Sequence, residues 1–232
     1  AQAHRLSIEG ILGPAVQFIQ TKNLMSKGLL AKLGIDCILL KYTDQERQSL
    51  NKQRYPDELK WIVAHDKRNE FIKNLALSTK GNTLVLFNYV ETHGKPLHDL
   101  IQADGGNRPV YFISGKTEAD TRERIRRVVD KETNAILVAS FGTTSTGINI
   151  VNIDNIIFAS PTKSIIRLLQ SIGRGLRVSA KKKTLKVFDI VDDICWKSYK
   201  NHVYRHFEER LKIYKKEKFD YKIVSMELPK DK

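Results

Sequence analysis

From about residue 65 to residue 191 the chain repeats one pattern: a short run of β-branched and aromatic residues, then a longer stretch with apolar positions three and four apart. The runs are 82-NTLVLFN-88, 109-PVYFIS-114, 135-AILVAS-140, 154-DNIIFAS-160 and 184-TLKVFDIV-191. A strand that is apolar along its whole length has no solvent face, so both of its sides must be covered by helices. That requirement is met by parallel strands joined through βαβ crossovers. Helices are expected over 65-HDKRNEFIKNLALSTK-80, over 91–103, from Thr117 to about Lys131, and from Ser164 to about Ile172. Thr117 and Asp120 have the spacing of a capping box for the third of these. The fold predicted is α/β, with a doubly wound, mainly parallel sheet.

The flanks are less regular, and the pattern divides the chain into 1–64, 65–193 and 194–232. In the first part, 14-PAVQFIQ-20 and 36-DCILLKYT-43 read as strands around a helix over 21–34 with Gly34 as its C-cap. Residues 44–64 are polar, contain Pro56, and read as a linker with short helices. Beyond Asp193, the residues Trp196, Tyr199, Val203, Phe207, Leu211 and Tyr214 form the apolar stripe of a helix that packs on a core. The segment 219-FDYKIVSMELPK-230 suits an edge strand.

Composition narrows the class of partner. Of 232 residues 41% are hydrophobic, enough for a normal core. No run approaches the ~18 uninterrupted apolar residues of a membrane span, and AQAHRLSIEG lacks the order of a signal peptide. Cys37 and Cys195 are too few for a disulfide framework and have no zinc spacing. A reducing, cytoplasmic setting with no membrane partner is therefore expected. The formal charge is +14, from 40 basic and 26 acidic side chains, which favours a polyanion such as nucleic acid. The excess is concentrated in residues 163–232, with 19 basic and 9 acidic side chains.

Parallel sheets present ligands at the carboxyl ends of their strands. After the strand ending at Ser114 comes 114-SGKTEAD-120. Its Gly115-Lys116-Thr117 is not a Walker A loop, because Val110 stands where that loop requires glycine. A helix N-terminus with one lysine still suits a single phosphate, and a plain turn reads equally well. The adjacent carboxylates Asp57 and Glu58 follow Pro56 in the polar linker, not a buried strand, so they do not read as magnesium ligands. The loop 139-ASFGTTSTGINI-150 places Ser140, Thr143 and Thr144 between a strand and Gly147. It offers hydroxyls and close backbone approach for phosphate oxygens, or simply a turn. In 170-QSIGRGLR-177, Gly173 and Gly175 interrupt a helix from which Arg174 and Arg177 project to one side. Two planar guanidinium groups suit a transferring phosphoryl group, although arginines also favour helix ends for solvation alone.

Other polar groups have mainly structural readings. His202 and His206 share a helix face but lack a third metal ligand. Asp189, Asp192 and Asp193 could bind Mg²⁺, but capping a helix or pairing with arginines suits them better. Lys181 to Lys183, with Lys215, Lys216 and Lys218, form either a solvated face or phosphate contacts, and the local charge favours contact.

In this order, NTLVLFN, ISGKT, AILVASFGTTSTGINI and NIIFASPTKS leading to QSIGRGLR resemble motifs IV, IVa, V and VI of the second RecA-like motor domain of superfamily 2 helicases. The resemblance covers about residues 66–193. The amino segment and the DIVDD ending are similar to phage recombination helicases that remodel branched DNA. It implies that residues 1–64 are the end of a first motor domain and the connector, and that 194–232 are a basic helical extension. By the same resemblance Arg177 is the arginine finger and Arg174 its companion at the γ-phosphate. Gln170, Gly173, Gly147 and Asn149 take part in ATP binding and coupling. Ser114, Gly115, Lys116, Ser140, Thr143 and Thr144 contact the nucleic-acid backbone, with Ser140 to Gly147 one residue longer than in the DEAD-box form. ATP with Mg²⁺ would be held mainly by the N-terminal RecA-like domain of the same protein, with none bound by this chain alone. The partners implied are that domain and branched or single-stranded DNA. A stand-alone basic nucleic-acid-binding module, or a phosphotransferase using Gly115 to Thr117, are the alternatives that the residues leave open.

Overall fold

The computed structural model describes residues 32–145, 152–162 and 184–229. Seven parallel strands form one sheet: β1 (Lys32–Lys41), β2 (Thr83–Phe87), β3 (Val110–Ile113), β4 (Ile136–Ser140), β5 (Asn155–Phe158), β6 (Thr184–Asp193) and β7 (Asp220–Glu227). Their order across the sheet is β3-β4-β2-β5-β6-β1-β7. The helices between them are α1 (Asp44–Ser49), α2 (Tyr55–Ala64), α3 (Asp66–Ser78), α4 (Lys95–Asp104), α5 (Ala119–Val129), the short α6 (Phe141–Ser145) and α7 (His202–Lys216).

Alternation along each strand builds two cores. Leu84, Leu86, Leu137, Ala139, Ile156 and Phe158 face one side, with Val129 of α5 and Phe207 and Tyr214 of α7. Val85, Phe87, Ile136, Val138 and Ile157 face the other, with Ile62 of α2, Ile72 and Ala76 of α3, and Leu97 and Ile101 of α4. Every residue of β2, β4 and β5 is buried, which is why their sequences carry no polar alternation.

Several local expectations are corrected. Gly34 does not cap a helix: it lies within β1, opposite Lys186 of β6 and Asp220 of β7. Strand β1 therefore sits inside the sheet, and residues 32–41 are part of the same layer as β2 to β6. The remainder of the expected 14–20 strand and 21–34 helix, up to residue 31, lies outside the described residues. The polar stretch 44–64 does form short helices, but Leu59, Ile62 and Val63 of α2 are buried against the sheet. The T-x-x-D box is not made. Glu118 occupies the N-cap of α5 without a side-chain bond, while Thr117 Oγ1 accepts from Ser114 N at 3.0 Å.

The helix expected over 91–103 starts with a π-helical turn, Val90–Gly94, before α4. Pro96 lacks the N–H that would continue an α-helical ladder backwards. Gly94 is required there, since a Cβ would lie 2.4 Å from the Phe87 ring. At the other end of the chain, Trp196 and Tyr199 form a tight bridged turn, and α7 starts only at His202. Its first amides are capped from a distance: Glu58 of α2 is buried and accepts from His202 N at 3.0 Å and Val203 N at 2.8 Å. A carboxylate there also complements the positive end of the helix. Beyond α7, β7 is the edge strand that the sequence suggests, parallel to β1. Among the described residues no helix is long and apolar enough to cross a membrane.

The amino edge of the sheet is closed by polar side chains that satisfy backbone groups. Buried Asn82 donates to the carbonyls of Val129, Glu132 and Asn152 and accepts from Ala135 N. Arg108 donates to the carbonyls of Ala76, Leu77, Thr79, Gly81 and Asn134. The carboxyl edge, where parallel sheets take ligands, lies at the other end of these strands.

Candidate functional site

Ile113 of β3 pairs with Ala139 of β4, so Ser114 and Ser140 leave the sheet side by side at the same height. The two loops that the resemblance assigns to nucleic acid are thus adjacent. In the first, Ser114 is buried; its Oγ accepts from Lys116 N at 3.3 Å and its carbonyl accepts from Thr117 N at 3.0 Å. This closed turn leaves Gly115 exposed, with open space where a Cβ would stand. The Lys116 side chain is 80% exposed and its Nζ lies 3.2 Å from Glu91 Oε1. Glu91 also accepts from Lys95 at 2.6 Å, and the two ammonium groups, that of Lys95 first, hold its carboxyl below the usual range.

In the second loop, the chain turns directly into α6 after β4. Ser140 and Thr143 are buried with their hydroxyl oxygens 2.5 Å apart. Their hydroxyls are turned inward, whereas Gly115, Lys116 and Gly142 are exposed in these two loops. Thr144 lies in α6. Gly147, Asn149, Gln170, Gly173, Arg174 and Arg177, with Lys181 to Lys183, lie outside the described residues. Lys215 and Lys216 end α7, and Lys218 follows just before β7 begins, so these three stand at the opposite, amino edge of the parallel sheet. They do not extend the surface formed by Gly115 and Lys116.

Behind these loops is a buried polar layer that periodicity alone did not indicate. Asp192 accepts from Arg68 Nε at 2.6 Å, Arg68 Nη2 at 3.1 Å and the Tyr42 hydroxyl at 2.6 Å. Asp189, on the opposite face of β6, accepts from Arg210 Nε and Nη2, each at 2.9 Å, and from the Tyr214 hydroxyl at 3.0 Å. Asp193 pairs with Lys41. The three aspartates are thus ion-pair partners, as the sequence reading favoured. Among the described residues no group of three or more His, Cys, Asp or Glu could hold a metal. Glu58 is occupied by α7, and Asp57 pairs with Arg54 at 2.8 Å. His202 reaches the Gln53 carbonyl at 3.2 Å, and His206 packs edge-on to Tyr55 with ring centroids 5.1 Å apart.

His93, in the π-helical turn, is fully buried between Ser160 Oγ (2.8 Å from Nδ1) and Asn69 Oδ1 (3.2 Å from Nε2). Burial, with a smaller contribution from the Arg68 charge, lowers its pKa to about 3, so it is neutral at physiological pH. One signal for this layer was present in the sequence: Arg68 precedes Ile72 and Ala76 by four and eight positions, on the apolar stripe of α3. No comparable signal marked His93 or Ser160.

Comparison with known proteins agrees with this architecture. Residues 66–179 match the helicase conserved C-terminal domain. The chain is similar to the ATP-dependent DNA helicase uvsW of Enterobacteria phage T4, 31% identical over 240 aligned residues, covering 98% of this chain and 47% of that protein. The chain thus spans about half the length of this curated relative. The crystal structure of T4 UvsW superposes with a TM-score of 0.73 at 31% identity, over 85% of this chain and 42% of that one. The C-terminal domain of the DEAD-box protein Dbp5 shares the fold, with a TM-score of 0.54 at 13% identity over 85% of this chain and 91% of that one. A parallel seven-stranded sheet and these matches together give the chain the α/β, RecA-like fold of a helicase C-terminal domain, the domain that residues 66–179 match.

Proposed function

We propose that this domain is the C-terminal motor half of an ATP-dependent DNA helicase or translocase, supplying an arginine finger and a grip on the DNA backbone to a nucleotide site built mainly by a first RecA-like domain. The reading is supported most by the adjacency of the Ser114 and Ser140 loops, which leaves Gly115 and Lys116 exposed at the edge where parallel sheets take ligands. ATP and Mg²⁺ would be sandwiched between the domains, with Arg174 and Arg177 facing the γ-phosphate. Closure would bring the finger onto charge developing on the phosphoryl oxygens; opening after hydrolysis would shift the backbone grip along one strand. Branched DNA, remodelled in recombination, replication or repair, is the substrate class proposed, by similarity to the phage helicase. Contacts of this kind are made to phosphates, so binding should be salt-dependent and largely independent of sequence.

Glu91 supplies a test on residues of this chain. Its carboxylate pairs with Lys116 and Lys95 and repels a DNA phosphate that approaches them. Glu91→Gln should tighten single-stranded DNA binding by roughly two- to three-fold at low salt, with the gain shrinking as salt rises. Lys116→Ala should weaken binding and lower the slope of log affinity against log salt by about 1. Fluorescence anisotropy across a salt series measures both; an unchanged slope in Lys116→Ala would remove the backbone grip from this loop.

A further inference from the structure

The tetrapeptide 159–162 leaves β5 and leads into residues 163–183, the segment that carries Gln170, Arg174 and Arg177. Each of its four residues is held by a side chain or amide from elsewhere. The Ala159 carbonyl accepts from Arg68 Nη2 at 2.8 Å. Ser160 Oγ accepts from Asn88 N at 3.0 Å and bonds His93 Nδ1. The Pro161 carbonyl accepts from Asn88 Nδ2 at 3.3 Å, and the Thr162 carbonyl from Arg210 Nη1 at 3.4 Å. Both arginines are themselves fixed in orientation, because each forks onto an aspartate of β6. Arg68, Arg210, His93 and Ser160 are all at most 1% exposed.

A strand exit at a sheet edge does not need this construction. Its buried carbonyls must be paired, but neutral amide or hydroxyl donors would do that, and apolar packing stabilises a fold at least as well as buried ion pairs do. What two oriented guanidinium groups and a neutral imidazole add is geometric definition, set from both faces of the sheet: α3 and the π-helical turn on one side, α7 on the other.

We propose that Arg68, Arg210, His93 and Asn88 form a clamp on residues 159–162 that sets the point from which the arginine-bearing segment is presented to the nucleotide. These are positioning residues; they act through the backbone of 159–162 on Arg174 and Arg177. The inference rests on the arginine-finger reading, and it deepens it. A finger works only within hydrogen-bond reach of the phosphoryl oxygens, and a misplacement of ~1 Å can cost ~10²-fold in rate. Loosening the clamp should therefore lower turnover while leaving intact the nucleotide site of the first domain, which holds ATP in the main, and the Gly115–Lys116 surface, neither of which lies on this segment.

The test is DNA-stimulated ATP hydrolysis by the protein carrying both motor domains. Ser160→Ala deletes the hydroxyl that joins His93 and Asn88; His93→Leu deletes the imidazole; His93→Asn keeps a polar atom where Nδ1 stands. Expected are a fall of roughly ten-fold in kcat for the first two, KM for ATP and DNA affinity within about two-fold of the parent, and recovery of most of the loss in His93→Asn. A kcat within about two-fold of the parent in Ser160→Ala, a loss carried by KM, or no recovery in His93→Asn would overturn the clamp. If His93→Leu does not fold, Ser160→Ala decides alone. Arg177→Ala in the same protein separates the two ideas. Loss of turnover there with none in Ser160→Ala removes the clamp only, whereas unchanged turnover in Arg177→Ala removes the finger and the clamp with it.

Discussion

In the protein carrying both motor domains, Arg177→Ala should lower DNA-stimulated ATP turnover by about 10³-fold or more, with the midpoint of thermal unfolding unchanged. The magnitude follows from what a finger does. Phosphoryl transfer spreads negative charge over the equatorial oxygens, and a planar guanidinium placed there contributes ~10³ to 10⁵ in rate. On the proposed reading Arg177 acts in the transition state, so kcat should fall far more than KM for ATP rises. Arg177→Lys should rescue little, since an ammonium cannot reproduce the two-pronged donor geometry. Single-turnover hydrolysis with saturating DNA measures the chemical step directly. A loss of less than about ten-fold would reassign Arg177 to solvent or to DNA.

The second large effect concerns stability. Arg68 and Asp192 have no exposed side-chain surface, and their pairing joins α3 to the carboxyl end of β6. Arg68→Leu would leave a buried carboxylate with the Tyr42 hydroxyl as its remaining side-chain donor among the described residues. Breaking a buried pair from one side costs about 3–5 kcal/mol, because the other charge is left without compensation. Replacing both partners, as Arg68→Met with Asp192→Leu, should recover most of that loss, less a small penalty for the Tyr42 hydroxyl. Urea unfolding of the two variants and the parent makes the comparison. A loss below about 1 kcal/mol in Arg68→Leu would mean that the pair contributes little, as exposed pairs do. The two predictions are complementary: Arg177→Ala changes rate without stability, and Arg68→Leu changes stability first.

The strands were legible in the sequence for a physical reason. In β2, β4 and β5 every position is buried, so 82–88, 135–140 and 154–160 carry unbroken apolar runs that match the observed elements within two residues at either end. The place of β1 between β6 and β7 was not legible, because pairing of Lys32–Lys41 with residues about 150 positions away in β6 and about 186 away in β7 leaves no local trace. The start of α7 was misread for a similar reason: its cap is Glu58, 144 positions upstream of His202. At the site, glycine and hydroxyl-rich loops after buried strands pointed to Ser114 to Lys116 and Ser140 to Thr143 as backbone contacts, whereas the Ser114, Ser140 and Thr143 side chains are buried. The sequence did not reveal that Ser140 and Thr143 bond each other, nor that Glu91 pairs with Lys116. The ion pairs of β6 fall between these cases. Acids at 189, 192 and 193 were expected to cap a helix or pair with arginines; Asp189 and Asp192 meet arginines because α3 and α7 pack on opposite faces of the sheet, whereas Asp193 meets Lys41.

The central claim, that this domain completes a nucleotide site shared with another domain, is tested most directly by ATP hydrolysis with and without DNA, first for this chain alone and then for the protein with the first motor domain present. The account predicts no hydrolysis above background for the chain alone and DNA-stimulated hydrolysis once both domains are joined. Robust hydrolysis by the chain alone would contradict it and direct attention to the loop at Gly115 to Thr117; no hydrolysis in the joined protein would leave a nucleic-acid-binding module without a motor.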